Sequence, residues 1–368
     1  MSKNKSLIAV TMGDPSGIST EITIKAWIKK NTNLRFFLIH DPVYVSRVIK
    51  KMKVGLKVQI IDNPSEALSV NKKYLPIIPI KIDAKTQLGK RNYSNAGAIL
   101  QSIDMAIDFA KQKVISGIVT NPINKEVIAK KLMRFKGHTE YLAKKDKKSN
   151  ELMFLLNKKM KVIPVTTHIA IKDVAKKINK KNITKSILNV NQTLKKDFGV
   201  RKPKIAVSGL NPHSGDGGIL GKEEILKIIP AINECKKKGI NVSGPYPADS
   251  LFRNSNIKKF DSFICMYHDQ ALIPIKVVDF DNTVNYTAGL SFVRTSPDHG
   301  TGLDIAKKFV ASCDSLLTAI GMALNIAKTE GYDSLTLSSF LYFCINNGYN
   351  AWTCQSAINE FWSPARII

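Results

Sequence analysis

Along this chain, short apolar runs alternate with longer stretches in which apolar residues recur every three or four positions. Leu7–Met12, Phe36–Ile39, Ile115–Thr120, Val162–Thr166, Ile205–Ser208 and Phe263–Tyr267 are nearly continuous in apolar residues, as strands covered on both faces are. Between them, Ile99, Ile103, Ile107 and Ala110 share one helical stripe, and Ile183, Ile187, Val190 and Leu194 share another. Strand–helix alternation over this length predicts an α/β protein with a mostly parallel sheet. At 368 residues the chain is long enough for two such domains. The pattern shows no internal repeat and no low-complexity linker.

The predicted strands end in polar turns. Gly13-Asp14-Pro15-Ser16-Gly17 follows the first, and Asn121-Pro122-Ile123-Asn124-Lys125 follows Ile115–Thr120. Thr167-His168, Gly209-Leu210-Asn211-Pro212-His213 and His268-Asp269-Gln270 close three others. Ligands of open α/β sheets bind beyond the carboxyl ends of the strands. These loops are therefore expected on one rim, or on two rims facing each other across a cleft. Of only six histidines, His138, His168, His213, His268 and His299 lie in such loops, while His40 looks incidental. A loop histidine is often structural or merely exposed. Three that each end a buried strand, His168, His213 and His268, also suit a divalent metal with a position open for substrate. Nothing in their spacing resembles a zinc finger or a His-Glu-x-x-His helix.

Other polar clusters suit an anion. Gly137-His138-Thr139-Glu140 offers an amide, an imidazole and a hydroxyl at an expected helix start. Gly215-Asp216-Gly217-Gly218 permits close backbone approach, and Gly221-Lys222-Glu223-Glu224 opens the next helix. Lys276, Asn285 and Arg294 flank Tyr286–Leu290 with donors for carboxylate or phosphate. Neither Gly-x-Gly-x-x-Gly after a strand nor a Walker-type loop occurs, which disfavours a Rossmann domain and a P-loop kinase.

Composition adjusts this picture modestly. Fifty-six basic against twenty-nine acidic residues give a net charge of +27. The lysines are spread along the chain without interleaved aromatics, so solvated helix faces account for them better than a nucleic-acid partner does. Their field still favours anionic substrates. Five unevenly spaced cysteines, no signal-like apolar segment and no membrane-length apolar run point to a reduced, cytoplasmic protein with no membrane partner. From Gly331 to Ile368 lysine disappears and aromatics crowd, which suits a packing or oligomerisation element or an idle appendage.

Seven ordered motifs resemble one enzyme family. They are Val10–Ile18, Gly137–Ala143, Val165–His168, Gly209–His213, Gly244–Asp249, Tyr267–Gln270 and Arg294–Thr301. The family is 4-hydroxythreonine-4-phosphate dehydrogenase of pyridoxal phosphate biosynthesis, and the match runs from about Leu7 to about Ala327. The resemblance implies an isopropylmalate/isocitrate dehydrogenase-like fold, with two α/β domains around a cleft and no Rossmann fingerprint. Residues 1–135 with 300–330 would form the first domain, 136–299 the second, and 331–368 an extension outside the match. It also implies a homodimer with composite active sites. The implied metal ligands are His168, His213 and His268, the one at His268 coming from the partner subunit. Substrate contacts fall on His138, Thr139, Lys276, Asn285 and Arg294, with Lys276 a candidate catalytic base. Nicotinamide contacts fall on Asp298, His299, Gly300, Thr301 and Asp304.

The implied reaction is NAD- or NADP-linked oxidation of 4-phosphohydroxy-L-threonine at C3, followed by decarboxylation to 3-amino-2-oxopropyl phosphate. One divalent ion per site is implied: zinc, magnesium, cobalt or manganese. Related enzymes that oxidise threonate or erythronate 4-phosphate give the alternative substrate. Two stretches depart from the family pattern. Ser19-Thr20-Glu21 stands where Gly-Pro-Glu is usual, and Lys307–Ser312 lacks the usual glycine and acidic residue beside the implied adenine loop.

Overall fold

The computed structural model describes residues 6–30, 34–133, 135 and 137–329. The aromatic segment from Gly331, with Cys344 and Cys354, lies outside the described residues. Twelve strands form one sheet: β1 (Ile8–Val10), β2 (Phe36–His40), β3 (Lys57–Ile60), β4 (Tyr74–Pro79), β5 (Gly117–Val119), β6 (Leu152–Leu156), β7 (Lys161–Pro164), β8 (Ile205–Ser208), β9 (Val242–Tyr246), β10 (Ser262–Cys265), β11 (Val284–Ala288) and β12 (Arg294–Pro297). Their order is β3-β4-β2-β1-β5-β12-β11-β6-β7-β10-β8-β9.

Each of the six apolar runs overlaps a strand, and the runs are apolar throughout because both faces of the sheet are covered. Ile8, Val10, Phe36 and Leu38 enter one core cluster, while Leu7, Ala9, Phe37 and Ile39 enter another. The two apolar stripes also become helices. Ala96–Lys111 buries Ile99, Ile103, Ile107 and Ala110, and Lys180–Lys196 buries Ile183, Ile187, Val190 and Leu194. Asn179 caps the second of these by accepting from the Asn182 amide at 2.9 Å.

Eight of the eleven strand pairings are parallel and three are antiparallel. The antiparallel ones lie together at the middle, where β12, β11, β6 and β7 alternate in direction. The parallel block β3-β4-β2-β1-β5-β12 consequently runs opposite to the block β7-β10-β8-β9. Strand-end loops therefore gather on two rims, one for each block. The central strands β11 (VNYTA) and β12 (RTSP) are too polar to read as strands from apolar runs, yet they carry Asn285, Thr287 and Arg294.

Candidate active site

Arg294 opens β12, with Asn285 and Thr287 on the neighbouring β11. Its guanidinium is only 2% exposed. Nε lies 3.1 Å from Thr120 Oγ1, and Nη1 lies 2.8 Å from Thr287 Oγ1 and 3.5 Å from Asn285 Oδ1. Burial pushes the Arg294 pKa down to about 9, against the weaker opposing pull of Glu140. Among the described residues no carboxylate forms an ion pair with it. A buried cation met only by neutral oxygens has a strong demand for an anion.

His138 supplies the next part of this site. It is the first residue of the helix His138–Asp146, with Gly137 at the N-cap, so free backbone amides open beside it. Its Nε2 is buried without a hydrogen-bond partner. Burial first, then Arg294 and Lys125, holds its pKa well below the ordinary imidazole value, so the ring is neutral. Thr139 follows on the same opening turn. The helix is moored by Tyr141, which donates to Asp104 at 2.7 Å, and by Asp146, which accepts from the Ser291 amide at 2.6 Å.

Of the strand-end histidines, His168 and His268 come together, their rings 5.9 Å apart between centroids. They flank a pocket of about 270 Å³ lined also by Thr167, Ile169, Ile171, Val174 and Tyr267. Burial, followed by the charges of Lys125 and His268, lowers the pKa of His168 and favours the neutral, ligating form. His268 Nδ1 lies 2.7 Å from Asp269 Oδ1, which orients the ring and leaves Nε2 available. A neutral imidazole at His168 fits a divalent ion. Among the described residues, no group of three His, Cys, Asp or Glu is placed to hold one, so His213 does not complete a set within a single chain.

His213 sits in an unusual turn. His213, Ser214, Gly215, Asp216 and Gly217 all have left-handed φ values, between 44° and 85°. Buried Glu224 holds this turn: Oε1 accepts from the amides of Leu210 and Asn211 at 2.8 Å each, and Oε2 from Asn211 Nδ2 at 2.9 Å. Gln270 ties the two histidine-bearing strand ends together. Its Oε1 accepts from Ser208 Oγ at 2.8 Å and the Met266 amide at 2.7 Å, and its Nε2 donates to the Gly209 carbonyl at 2.8 Å.

The expected nicotinamide residues follow β12. Asp298 pairs with Lys276 at 3.0 Å, which brings one expected substrate residue against one expected cofactor residue. His299 Nδ1 lies 3.0 Å from the Gly300 carbonyl, and Asp304 is exposed. The Thr301 carbonyl accepts from the Ile18 amide at 2.9 Å, and a Cβ on Gly17 would fall 2.3 Å from that oxygen. The two departures from the family pattern touch one another. Glu21 Oε1 accepts from Lys25 at 2.7 Å and the Ala311 amide at 2.9 Å, while Lys25 donates to the carbonyls of Phe309 and Ala311. Ser19 does not cap its helix. The cap position is Ile18, and the Ser19 hydroxyl donates to the Pro122 carbonyl at 3.1 Å.

A family model described as pyridoxal phosphate biosynthetic protein PdxA matches residues 32–323. This chain belongs to the PdxA family. A 4-hydroxythreonine-4-phosphate dehydrogenase from Caulobacter vibrioides is 38% identical over 331 residues, covering 88% of this chain and 98% of that protein. The crystal structure of 4-hydroxythreonine-4-phosphate dehydrogenase from Klebsiella pneumoniae superposes with a TM-score of 0.80 at 34% identity, covering 88% of this chain and 99% of that one. A terephthalate 1,2-cis-dihydrodiol dehydrogenase from Burkholderia xenovorans shares the fold, with a TM-score of 0.59 at 23% identity over 89% of this chain and 98% of that one.

Several residues of this PdxA-family site escape sequence reasoning. Thr120 and Thr287 hold Arg294 but lie inside apolar or neutral runs. Glu224 looks like an ordinary acidic residue at a helix start. Gln270 carried one signal, its place two residues after His268 in Tyr267-His268-Asp269-Gln270.

Proposed function

We propose that this PdxA-family chain oxidises 4-phosphohydroxy-L-threonine at C3 with NAD or NADP and releases 3-amino-2-oxopropyl phosphate after loss of carbon dioxide. The observation that carries this reading is Arg294, a buried guanidinium with no carboxylate partner among the described residues, beside the neutral His138 at a helix start. Together they suit an anionic small molecule. Arg294, Asn285, His138 and Thr139 bind and orient the substrate. His168, kept neutral chiefly by burial, and His213 are the metal ligands of one chain, and His268 of the partner subunit completes the set.

A divalent ion bound there supplies Lewis acidity toward the C3 oxygen during oxidation and decarboxylation. Asp269 fixes the ring of His268 for that purpose. Lys276, as the neutral amine, would accept the proton of the C3 hydroxyl, and Asp298 positions its Nζ at 3.0 Å. Asp298, His299, Gly300, Thr301 and Asp304 form the nicotinamide side, braced from below by Gly17 and Ile18. Zinc, magnesium, cobalt and manganese all suit imidazole-containing sites, so availability decides among them.

Side-by-side turnover of 4-phosphohydroxy-L-threonine, threonate 4-phosphate and erythronate 4-phosphate tests the substrate. The reading requires kcat/KM to favour the amino compound. Preference for either hydroxy acid moves the chain to the alternative substrate.

A further inference from the structure

We propose that Lys125 is a further substrate-binding residue, its ammonium joining Arg294 and the opening turn of the helix His138–Asp146 in holding the substrate's phosphate. This rests on the proposed reaction and adds a residue that the resemblance leaves unassigned. Lys125 is fixed in place. Asn124 caps the short helix Lys125–Ala129, accepting from the amides of Glu126 at 3.0 Å and Val127 at 3.3 Å. Lys125 is thus the first helical residue of the loop after β5, the same strand end that presents Thr120 to Arg294.

The neighbouring carboxylate is engaged elsewhere. Glu126 pairs with Arg91 at 3.1 Å and accepts from the Tyr93 hydroxyl at 2.6 Å. Among the described residues no carboxylate forms an ion pair with Lys125. Its side chain instead runs to Gly137, where a Cβ would lie 3.7 Å from Cε and 3.8 Å from Nζ of Lys125 and 3.2 Å from Oε2 of Glu140, which forms no ion pair with the lysine. The absence of a side chain at Gly137 leaves the ammonium against the backbone that opens the helix, where unpaired amides point outward. Burial first, then the charges of Arg294 and Lys125, lower the basicity of His138. A phosphate near −2 is poorly matched by Arg294 alone, and a second cation at a helix start corrects the balance.

The test uses full-length Lys125→Met and Lys125→Arg. Losing one charge-assisted contact made equally in ground and transition states should raise KM for 4-phosphohydroxy-L-threonine about tenfold to a hundredfold. The kcat should change by less than about threefold, and the nicotinamide KM should hold. Lys125→Arg should recover most of the loss. Inorganic phosphate should inhibit the wild type competitively, and Lys125→Met should weaken that inhibition by a factor similar to the KM change. An unchanged substrate KM overturns the proposal. A raised KM with unaltered phosphate inhibition also overturns it, because the lysine then meets another group of the substrate. If the wild type fails to turn over this substrate, the proposed reaction has failed. Calorimetric binding of inorganic phosphate to wild type and Lys125→Met then still decides the role of Lys125: weaker binding to the variant supports it, and equal binding overturns it.

Discussion

A guanidinium sealed among hydroxyls and an amide, as at Arg294, is costly to fold unless the position serves a ligand. His40 shows the opposite use of burial. Its Nδ1 accepts from the Asp41 amide at 2.7 Å, its Nε2 lies 3.1 Å from Thr20 Oγ1, and its ring stacks on Tyr44. It is a core residue rather than an incidental one. Burial pushes its pKa down to about 4. The unfolded chain therefore takes up a proton near pH 6.5 that the folded chain refuses until about pH 4. Stability is full above that upper value and falls as pH drops through the interval, by about 3 kcal/mol in all. In urea unfolding between pH 7.5 and 4.5, His40→Gln should be less stable than wild type at neutral pH, with the gap narrowing in acid. A gap that stays constant with pH would show that His40 carries no such linkage. At this scale Arg294 and the histidines were legible in sequence because their chemistry is scarce. Thr120, Thr287 and Glu224 were not, since nothing local distinguishes a hydroxyl or carboxylate that supports a distant residue.

Loops matter more than strands at the scale of elements. The turn His213–Gly217 is left-handed at five successive residues, a conformation costing L-residues about 1–2 kcal/mol each, and Glu224 and Gln270 brace the strand ends around it. Across the sheet, the loop Gly13–Gly17 packs directly on Thr301. Gly17→Ala would force these loops apart, since the new methyl would sit 2.3 Å from the Thr301 carbonyl oxygen. The expected result is a nicotinamide KM raised about tenfold or more, with the phosphorylated substrate's KM near wild type. Steady-state kinetics with each substrate varied in turn would check this, and equal losses on both sides would contradict it. Apolar runs revealed the buried parallel strands Ile8–Val10, Phe36–His40 and Ile205–Ser208, because coverage on both faces leaves a continuous signal. The joining strands Val284–Ala288 and Arg294–Pro297 escaped, because Asn285, Thr287 and Arg294 make them polar.

At the scale of the whole molecule, two oppositely directed parallel blocks share one sheet, and the strands carrying Asn285, Thr287 and Arg294 lie at their junction. The block bearing the histidines leaves apolar surface open. Ile171 is 73% exposed, and Ile273 and Val277, one turn apart on the helix His268–Val278, are 62% and 82% exposed. A second copy covering this face would bring the partner subunit's His268 into the metal set and complete it. Val277→Asp should then yield a folded monomer with little turnover, read by sedimentation and circular dichroism. A fully active dimer would show that this face is not the interface. The most direct measurement of the proposed reaction is absorbance at 340 nm with 4-phosphohydroxy-L-threonine and NAD, then NADP, before and after a chelator. Reduction of a nicotinamide that stops with the chelator and returns with added divalent metal is the predicted result. Chelator-resistant reduction would contradict the metal site, and no reduction with either nicotinamide would contradict the proposed reaction itself.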